Sequence, residues 1–313
     1  MTVTQITTVK FSGRIGFGEN ADTEHLIECL RKMQEVTPYG VLLLDFKEVT
    51  FFYPSALNIV FLSARNLMDK KRCLVSNTPA VRNDVNEFLV QSGFASCTGV
   101  VQEVMCGSEA TYMLKNFTWV NDHEIDKILN VIQQQINLYP GARNKIMENM
   151  AEIIGNTMDH SNSDLGCFVM AQAYPGSKRI RYCIGDRGIG IRDHLTKTYP
   201  EMNKLPTSEV ILYATGDGVT GNKKNNSGQG LFLLKEELVR ICGGSFRIIS
   251  GDGMYEETFI LDEQHKFKER KVKHTELPFY FQGTFVDIVL QATPEDIFIS
   301  LKSEMPPEEF SII

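Results

Sequence analysis

The sequence predicts a two-domain α/β (α+β) protein, and three observations carry this prediction. Short β-rich runs and amphipathic helices alternate over the first hundred residues, in the order β-α-β-α-β-α. Two amphipathic helices and several further strands follow in the second half. With 313 residues, the chain is long enough for two domains that each bury a core. We therefore predict a small helix-covered sheet, followed by a larger domain of helices layered on a sheet.

The first predicted domain is built around one strongly apolar strand. Residues Val41–Phe46 read VLLLDF, which is apolar on both faces, as in a buried central strand. Apolar residues recur at helical spacing within 21–36, where Asp22 and Thr23 are candidate caps, and again within 55–68. The other elements predicted here are strands at 3–11 and 72–75 and a helix at 81–92.

The second predicted domain begins with two helices that are broken at Pro140 and Gly141. The stretch 105–121 has little pattern, so we place the boundary there, with domains at 1–108 and 109–291 and a tail at 292–313. The helices are predicted at 123–138, at 142–160 and from about 230 to 243, and the strands at 166–174, 179–186, 245–250, 257–261 and 284–290.

Composition narrows the class of protein. Hydrophobic residues make up 42% and charged residues 23% of the chain, as in soluble globular proteins. Neither a membrane span nor a secretory signal is predicted, and seven cysteines without a CxxC pair indicate reduced thiols in a cytoplasmic protein. The formal net charge of -7 disfavours a nucleic-acid-coating protein. The basic run at 265–274 is predicted to be a solvated hairpin, with a nucleic-acid or acidic-partner contact as the alternative.

The first candidate motif is EIIGNTMDH, at residues 152–160. On a helix, Glu152 and Asn156 are four residues apart and share a face. A carboxylate can orient a water, and a carboxamide oxygen can bind Mg²⁺. Taken alone, such a pair is also typical of a solvated helix surface.

Two glycine motifs follow. In IGDRGIGI, Asp186 ends a strand, and its carboxylate could accept a hydrogen bond from the amino group of adenine. Gly188 and Gly190 would let a ligand approach the backbone, although a simple glycine turn gives the same pattern. In SGQGLFLLKEEL, Gly228 and Gly230 precede a helix whose free amides could hold phosphate oxygens. This third motif is not a P-loop, because no Gly-Lys-Ser/Thr follows.

Together these residues resemble a known superfamily. ExxxN, DxGxG and GxGL, followed by Gly243-Gly244 and Gly283-Thr284, resemble the N box and glycine boxes of the GHKL ATPases (gyrase, heat-shock chaperone, histidine kinase and mismatch repair). The resemblance covers about residues 122–290 and implies a Bergerat fold, an α/β sandwich that binds ATP with Mg²⁺ between helices and a mixed sheet.

The resemblance also implies a role for each matching residue. The implied roles are Glu152 as general base, Asn156 as the Mg²⁺ ligand, Asp186 and Thr284 at adenine, and Gly188, Gly190, Gly228 and Gly230 lining the nucleotide. The stretch 192–226 would be the ATP lid, whose flexible glycines stand beside Lys223 and Lys224 as candidate phosphate contacts. A solvated loop with incidental lysines is the alternative.

Residues 1–105 are similar in pattern to STAS domains, the fold of bacterial anti-sigma-factor antagonists. In those antagonists an aspartate precedes the phosphorylatable serine at a helix start, whereas here Pro54 precedes Ser55. We therefore interpret Ser55 as a helix cap, keep a phosphoswitch as the alternative, and expect the domain to dock a protein partner.

The sequence thus predicts a Mg²⁺-dependent ATPase that switches conformation and is coupled to a STAS-like interaction domain. A serine/threonine kinase resembling the anti-sigma factors is the first alternative, since Glu152 could activate a hydroxyl instead of water. A nucleotide-sensing scaffold without turnover is the second. The sequence leaves a homodimer open.

Overall fold

The computed structural model describes residues 5–94, 111–138, 140–163, 165–216, 235, 239–264 and 266–291. These residues form an α+β fold with one parallel and one antiparallel sheet, which confirms the predicted fold class. The elements of the first region are β1 (Ile6–Ile15), α1 (Thr23–Met33), β2 (Val41–Phe52), α2 (Pro54–Lys71), β3 (Leu74–Thr78) and α3 (Asn83–Gln91). Those of the second region are β4 (Thr111–Phe117), α4 (Asp122–Gln135), α5 (Pro140–His160), β5 (Cys167–Tyr174), β6 (Arg179–Asp186), α6 (Gly190–Leu195), α7 (Thr207–Ala214), β7 (Gly244–Leu261) and β8 (Phe267–Gln291).

The first sheet is parallel, in the order β1-β2-β3. The side chain of Asp22 accepts from the His25 amide at 2.9 Å, so Asp22 is the cap of α1. The central strand β2 alternates, because Leu42 and Leu44 are fully buried whereas Val41 is only half-buried. The prediction that β2 is buried on both faces was therefore wrong.

The second sheet is antiparallel, in the order β4-β5-β6-β8-β7. Its strand β4 lies in the stretch that was predicted to be an unpatterned boundary. The strands predicted at 245–250 and 257–261 form one strand, β7, which pairs with β8 along most of its length. The described part of the basic run is solvent-exposed, as predicted, but from Phe267 onwards it lies inside β8 and pairs with β7, and not in a connection between two strands.

Each face of the five-stranded sheet is covered by different helices. On one face α4 and α5 bury a core with strands β4 to β8. On the other face α1 and α2 share a single core with β5 to β8. The rings of Phe61 on α2 and Phe168 on β5 have centroids 5.0 Å apart. A Cβ on Gly185 would lie only 2.4 Å from a methyl carbon of Leu62, so α2 contacts β6 closely.

The first part of the segment predicted as a flexible lid is helical. It contains α6, a 3-10 turn at Pro200–Lys204 and α7. Val210 and Ile211 of α7 are fully buried, and α7 contacts β7. Apolar burial therefore holds residues 190–214 on the sheet, whereas the candidate lid residues Lys223 and Lys224 lie outside the described residues.

Ser55 does not cap its helix. The N-cap of α2 is Tyr53, which makes no side-chain capping bond. Ser55 is fully buried, and its hydroxyl oxygen has no hydrogen-bond partner among the described residues. The cap interpretation was therefore wrong, and a kinase could not reach Ser55 in this conformation.

Two predictions from composition can be compared with the structure. Five of the seven cysteines lie in the described chain, and all five are buried free thiols, as predicted. None of the helices among the described residues is long and apolar enough to cross a bilayer.

Candidate functional site

Asp186 ends β6 as a buried carboxylate without a cation partner among the described residues. It is 3% exposed. Its Oδ1 accepts from the Gly188 amide at 2.7 Å, and the Thr284 amide also donates to the carboxylate. Burial raises the pKa of Asp186 to about 7, against the opposing effect of these two amides. A buried carboxylate at a strand end, with amide donors but no cation among the described residues, is suited to a ligand that donates a further hydrogen bond.

The loops beside Asp186 require glycine. A Cβ on Gly188 would lie 1.9 Å from the carbonyl oxygen of Ser161, the residue after α5. Gly283 has φ +98, and a Cβ there would lie 2.7 Å from the Asp186 Oδ1. Both glycines therefore permit close contacts between backbone segments, and neither leaves an empty space by itself.

Helix α5 carries the Glu152–Asn156 pair on its more exposed side. Its opposite side is anchored in the core by Ile153 and Ile154. The Asn156 Nδ2 donates to the Glu152 Oε1 at 3.3 Å, so the two side chains share a face as predicted. With Nδ2 engaged in this way, the carbonyl oxygen of Asn156 is the atom left for a hard cation.

The end of α5 contacts the loop that follows Asp186. The Ile189 amide donates to the Ser161 carbonyl at 2.7 Å. The rings of His160 and His194, on α5 and α6, have centroids 4.6 Å apart. His160 is four residues, or about one helical turn, after Asn156 and lies on the same face. The face of α5 that carries Glu152 and Asn156 therefore runs towards the loop. The structure thus brings the first two motifs to one end of the sheet.

His194 is neutral at physiological pH. Burial lowers its pKa to about 4, and the nearby His160 and Lys197 act in the same direction. The face of α5 and α6 beside the loop therefore gains no positive charge from this histidine.

Thr284 and Ser250 complete the other side of the loop. Thr284 is half-buried on β8 and pairs in register with Ser250 on β7. The Ser250 hydroxyl accepts from the Ile191 amide at 2.9 Å and donates to the Gly283 carbonyl at 2.8 Å. It joins the start of α6, where Gly190 has φ +80, to Gly283 on β8, the residue before Thr284. Sequence reasoning missed Ser250, because a single serine in a strand has no distinguishing spacing.

Four predicted contacts, Lys223, Lys224, Gly228 and Gly230, lie outside the described residues. Nearby, Lys235 is described and buried. Its Nζ donates to the Thr215 carbonyl at 3.4 Å and lies 3.8 Å from a carboxylate oxygen of Glu257. The third motif therefore has one described member, and that member is an internal cation joined to β7.

A second buried carboxylate, Asp287, lies on the opposite face of the sheet. It is 1% exposed and contacts Arg247 at 2.8 Å and Arg181 at 3.5 Å. Arg181 also donates to the Phe17 carbonyl at 2.9 Å. This cluster lies under the N-terminal region and away from the candidate site.

Comparisons with known proteins give no family. No protein-family model matches the chain, and no curated protein sequence matches it. One solved structure that it resembles weakly is described as the N-terminal domain of a DNA repair protein, with 14% identity and a TM-score of 0.20. That match covers 59% of this chain, which spans 45% of the length of the other chain. So low a similarity supports no argument about function.

Proposed function

We propose that the chain binds ATP with Mg²⁺ at the end of the five-stranded sheet, in a pocket of the GHKL type. The observation that carries the proposal is Asp186, a buried carboxylate that has no cation partner among the described residues. It lies beside glycine-containing segments, and the one that follows it contacts the end of α5. Ionising a buried acid without a counter-charge is costly. A ligand that donates a hydrogen bond would offset part of this cost, as the amino group of adenine would for Asp186.

The surrounding residues fit the remaining parts of this ligand. Thr284 faces the same strand end as Asp186 and could support the adenine ring. The Asn156 carbonyl oxygen fits Mg²⁺, which commonly takes one or two protein oxygens together with substrate phosphates. Bound in this way, Mg²⁺ would offset negative charge on the phosphates. In this proposal Gly228 and Gly230, which lie outside the described residues, line the nucleotide. Gly188 and Gly190 instead let the loop pack closely against Ser161, Ser250 and Gly283.

We propose hydrolysis as the chemistry, with Glu152 as general base. Glu152 is exposed on α5 and is held by Asn156, so its carboxylate could accept a proton from a water that attacks the γ-phosphate. Transfer to a protein hydroxyl would use the same base and is the alternative. The buried Ser55 does not supply that hydroxyl in this conformation, so a kinase would need an acceptor on a partner.

The test separates binding from turnover with one substitution. We expect Glu152→Ala to bind a non-hydrolysable ATP analogue as wild type does but to lose phosphate release by about a hundredfold or more. Glu148→Ala is the matched control, because Glu148 lies one turn earlier on α5 and forms an ion pair with Lys145. Turnover by the Glu152 variant at the wild-type rate would reject Glu152 as the base.

The acceptor is identified with γ-labelled ATP. Free labelled phosphate supports the ATPase, and label transferred to an added STAS-type protein supports the kinase. Saturable binding with neither product would indicate the nucleotide-sensing scaffold.

A further inference from the structure

The last turn of α2 contacts the loop that follows Asp186. The Asp69 carboxylate lies 2.6 Å from a guanidinium nitrogen of Arg187, the next residue after Asp186. The Arg187 side chain is 13% exposed and that of Asp69 is 50% exposed. The guanidinium is thus largely buried at the loop, and Asp69 reaches it from the solvent side. Such a charge-assisted contact fixes direction as well as distance.

The adjacent residue of α2, Lys70, contacts strand β8 just before Thr284. The Lys70 Nζ donates to the Gln282 Oε1 at 2.6 Å. The Gln282 Nε2 in turn donates to the Gly188 carbonyl. Because Gln282 directly precedes Gly283 and Thr284 on β8, one carboxamide joins α2, this part of β8 and the loop after Asp186.

The middle of α2, which precedes these two contacts along the helix, is packed on the five-stranded sheet. Leu62 lies against Gly185, one residue before Asp186. The Asn58 Nδ2 donates to the Phe168 carbonyl on β5 at 2.9 Å. The contacts of Asp69 and Lys70 therefore belong to a helix that is already packed on β5 and β6, and they extend its contacts to the loop after Asp186 and to β8.

We propose that α2 is the positioning element of the nucleotide site, acting through Asp69–Arg187 and Lys70–Gln282. This inference rests on the proposed function. It means that the N-terminal region sets how Asp186 and Thr284 meet adenine. By linkage, a partner that shifts α2 changes nucleotide affinity, and nucleotide changes partner affinity by the same factor.

The test uses Asp69→Asn and Lys70→Met in the full-length chain. We expect each to weaken binding of a fluorescent ATP analogue by about fivefold, since Asp69→Asn removes the ion pair to a largely buried guanidinium and Lys70→Met removes the hydrogen bond to Gln282. Without nucleotide, amide hydrogen exchange at 187–191 and 283–285 should become faster. Glu19→Gln is the matched control, because Glu19 forms a 3.0 Å ion pair with Arg179 at the other end of β6. That control should change neither measurement.

Exchanging the charges of Asp69 and Arg187 tests whether their ion pair, and not the packing of α2, affects nucleotide binding. The double variant Asp69→Arg with Arg187→Asp should recover binding relative to Arg187→Asp alone. Wild-type protein that binds no ATP analogue would overturn the proposed function and, with it, this inference. Wild-type binding, together with affinity and exchange in both α2 variants equal to those of Glu19→Gln, would overturn the inference alone.

Discussion

Each face of the five-stranded sheet buries one described aspartate, and the two aspartates have different partners. Asp287 lies between Arg247 and Arg181 under the N-terminal region. Asp186 lies on the opposite face, since Cys183 pairs with Asp287 and side chains alternate along β6. Its described hydrogen bonds come from backbone amides. Burial alone therefore does not distinguish the two aspartates, and the partners of each carboxylate are what make Asp186 the candidate for binding a ligand.

We expect the greatest loss of stability when the Asp287 carboxylate is removed from its two arginines. Asp287→Ala would leave two buried guanidinium groups without their shared carboxylate, and we expect unfolding free energy to fall by about 3–5 kcal/mol. Urea denaturation followed by circular dichroism measures this change. Asp84→Ala, which breaks the exposed Arg82–Asp84 pair, is the control and should change stability little. Equal losses in the two variants would remove the distinction between the faces.

Replacing Asp186 is expected to raise the free energy of unfolding, whereas replacing Asp287 lowers it. Its folded-state pKa of about 7 lies above the ordinary value, so this group's contribution to stability is greatest below about pH 4 and falls as pH rises towards 7. Asp186→Asn removes that cost and should stabilise the nucleotide-free protein at pH 8 by on the order of 2 kcal/mol. The same change should weaken ATP binding at least about tenfold, because the charged acceptor for adenine is lost.

Thermal unfolding and ATP titration at pH 6 and pH 8 measure both effects. Wild-type affinity should fall between pH 8 and pH 6 as Asp186 is protonated. The variant serves as the control, because any pH dependence that it keeps belongs to the phosphates. A variant that is destabilised at pH 8 and binds ATP normally would show that Asp186 is a structural acid like Asp287.

The smallest effect is expected at Ser55, a neutral buried group on α2. Within the part of the chain that the structure describes, its hydroxyl has no hydrogen-bond partner, so Ser55→Ala should leave stability unchanged or raise it by about 1 kcal/mol. Urea denaturation measures this, with Ser12→Ala as a control at a half-buried serine whose hydroxyl meets His25. A loss well above that of the control would indicate that the hydroxyl is satisfied by a group such as bound water.

The parts of the site that sequence could predict are those with local spacing. Glu152 and Asn156 share a face because four residues make one helical turn, and the glycines beside Asp186 indicate a close backbone approach. The role of Ser250 and the contacts of Gln282 depend on strands and helices far apart in sequence, so no local pattern marks them. The helical part of 190–214 was missed because its helices are short and lie among polar residues, while a few apolar side chains such as Ile211 hold them on β7.

The shared core beneath α2 also constrains the order in which the chain can fold. Asn58 and Phe168 are joined by a hydrogen bond although 110 residues separate them, and the Lys70–Gln282 contact spans 212 residues. Contacts this distant in sequence close late and slow folding. During synthesis the apolar side of α2 emerges well before β5 and β6. Part of the apolar surface of the first hundred residues therefore stays exposed until the second half of the chain has been synthesised and packs against it.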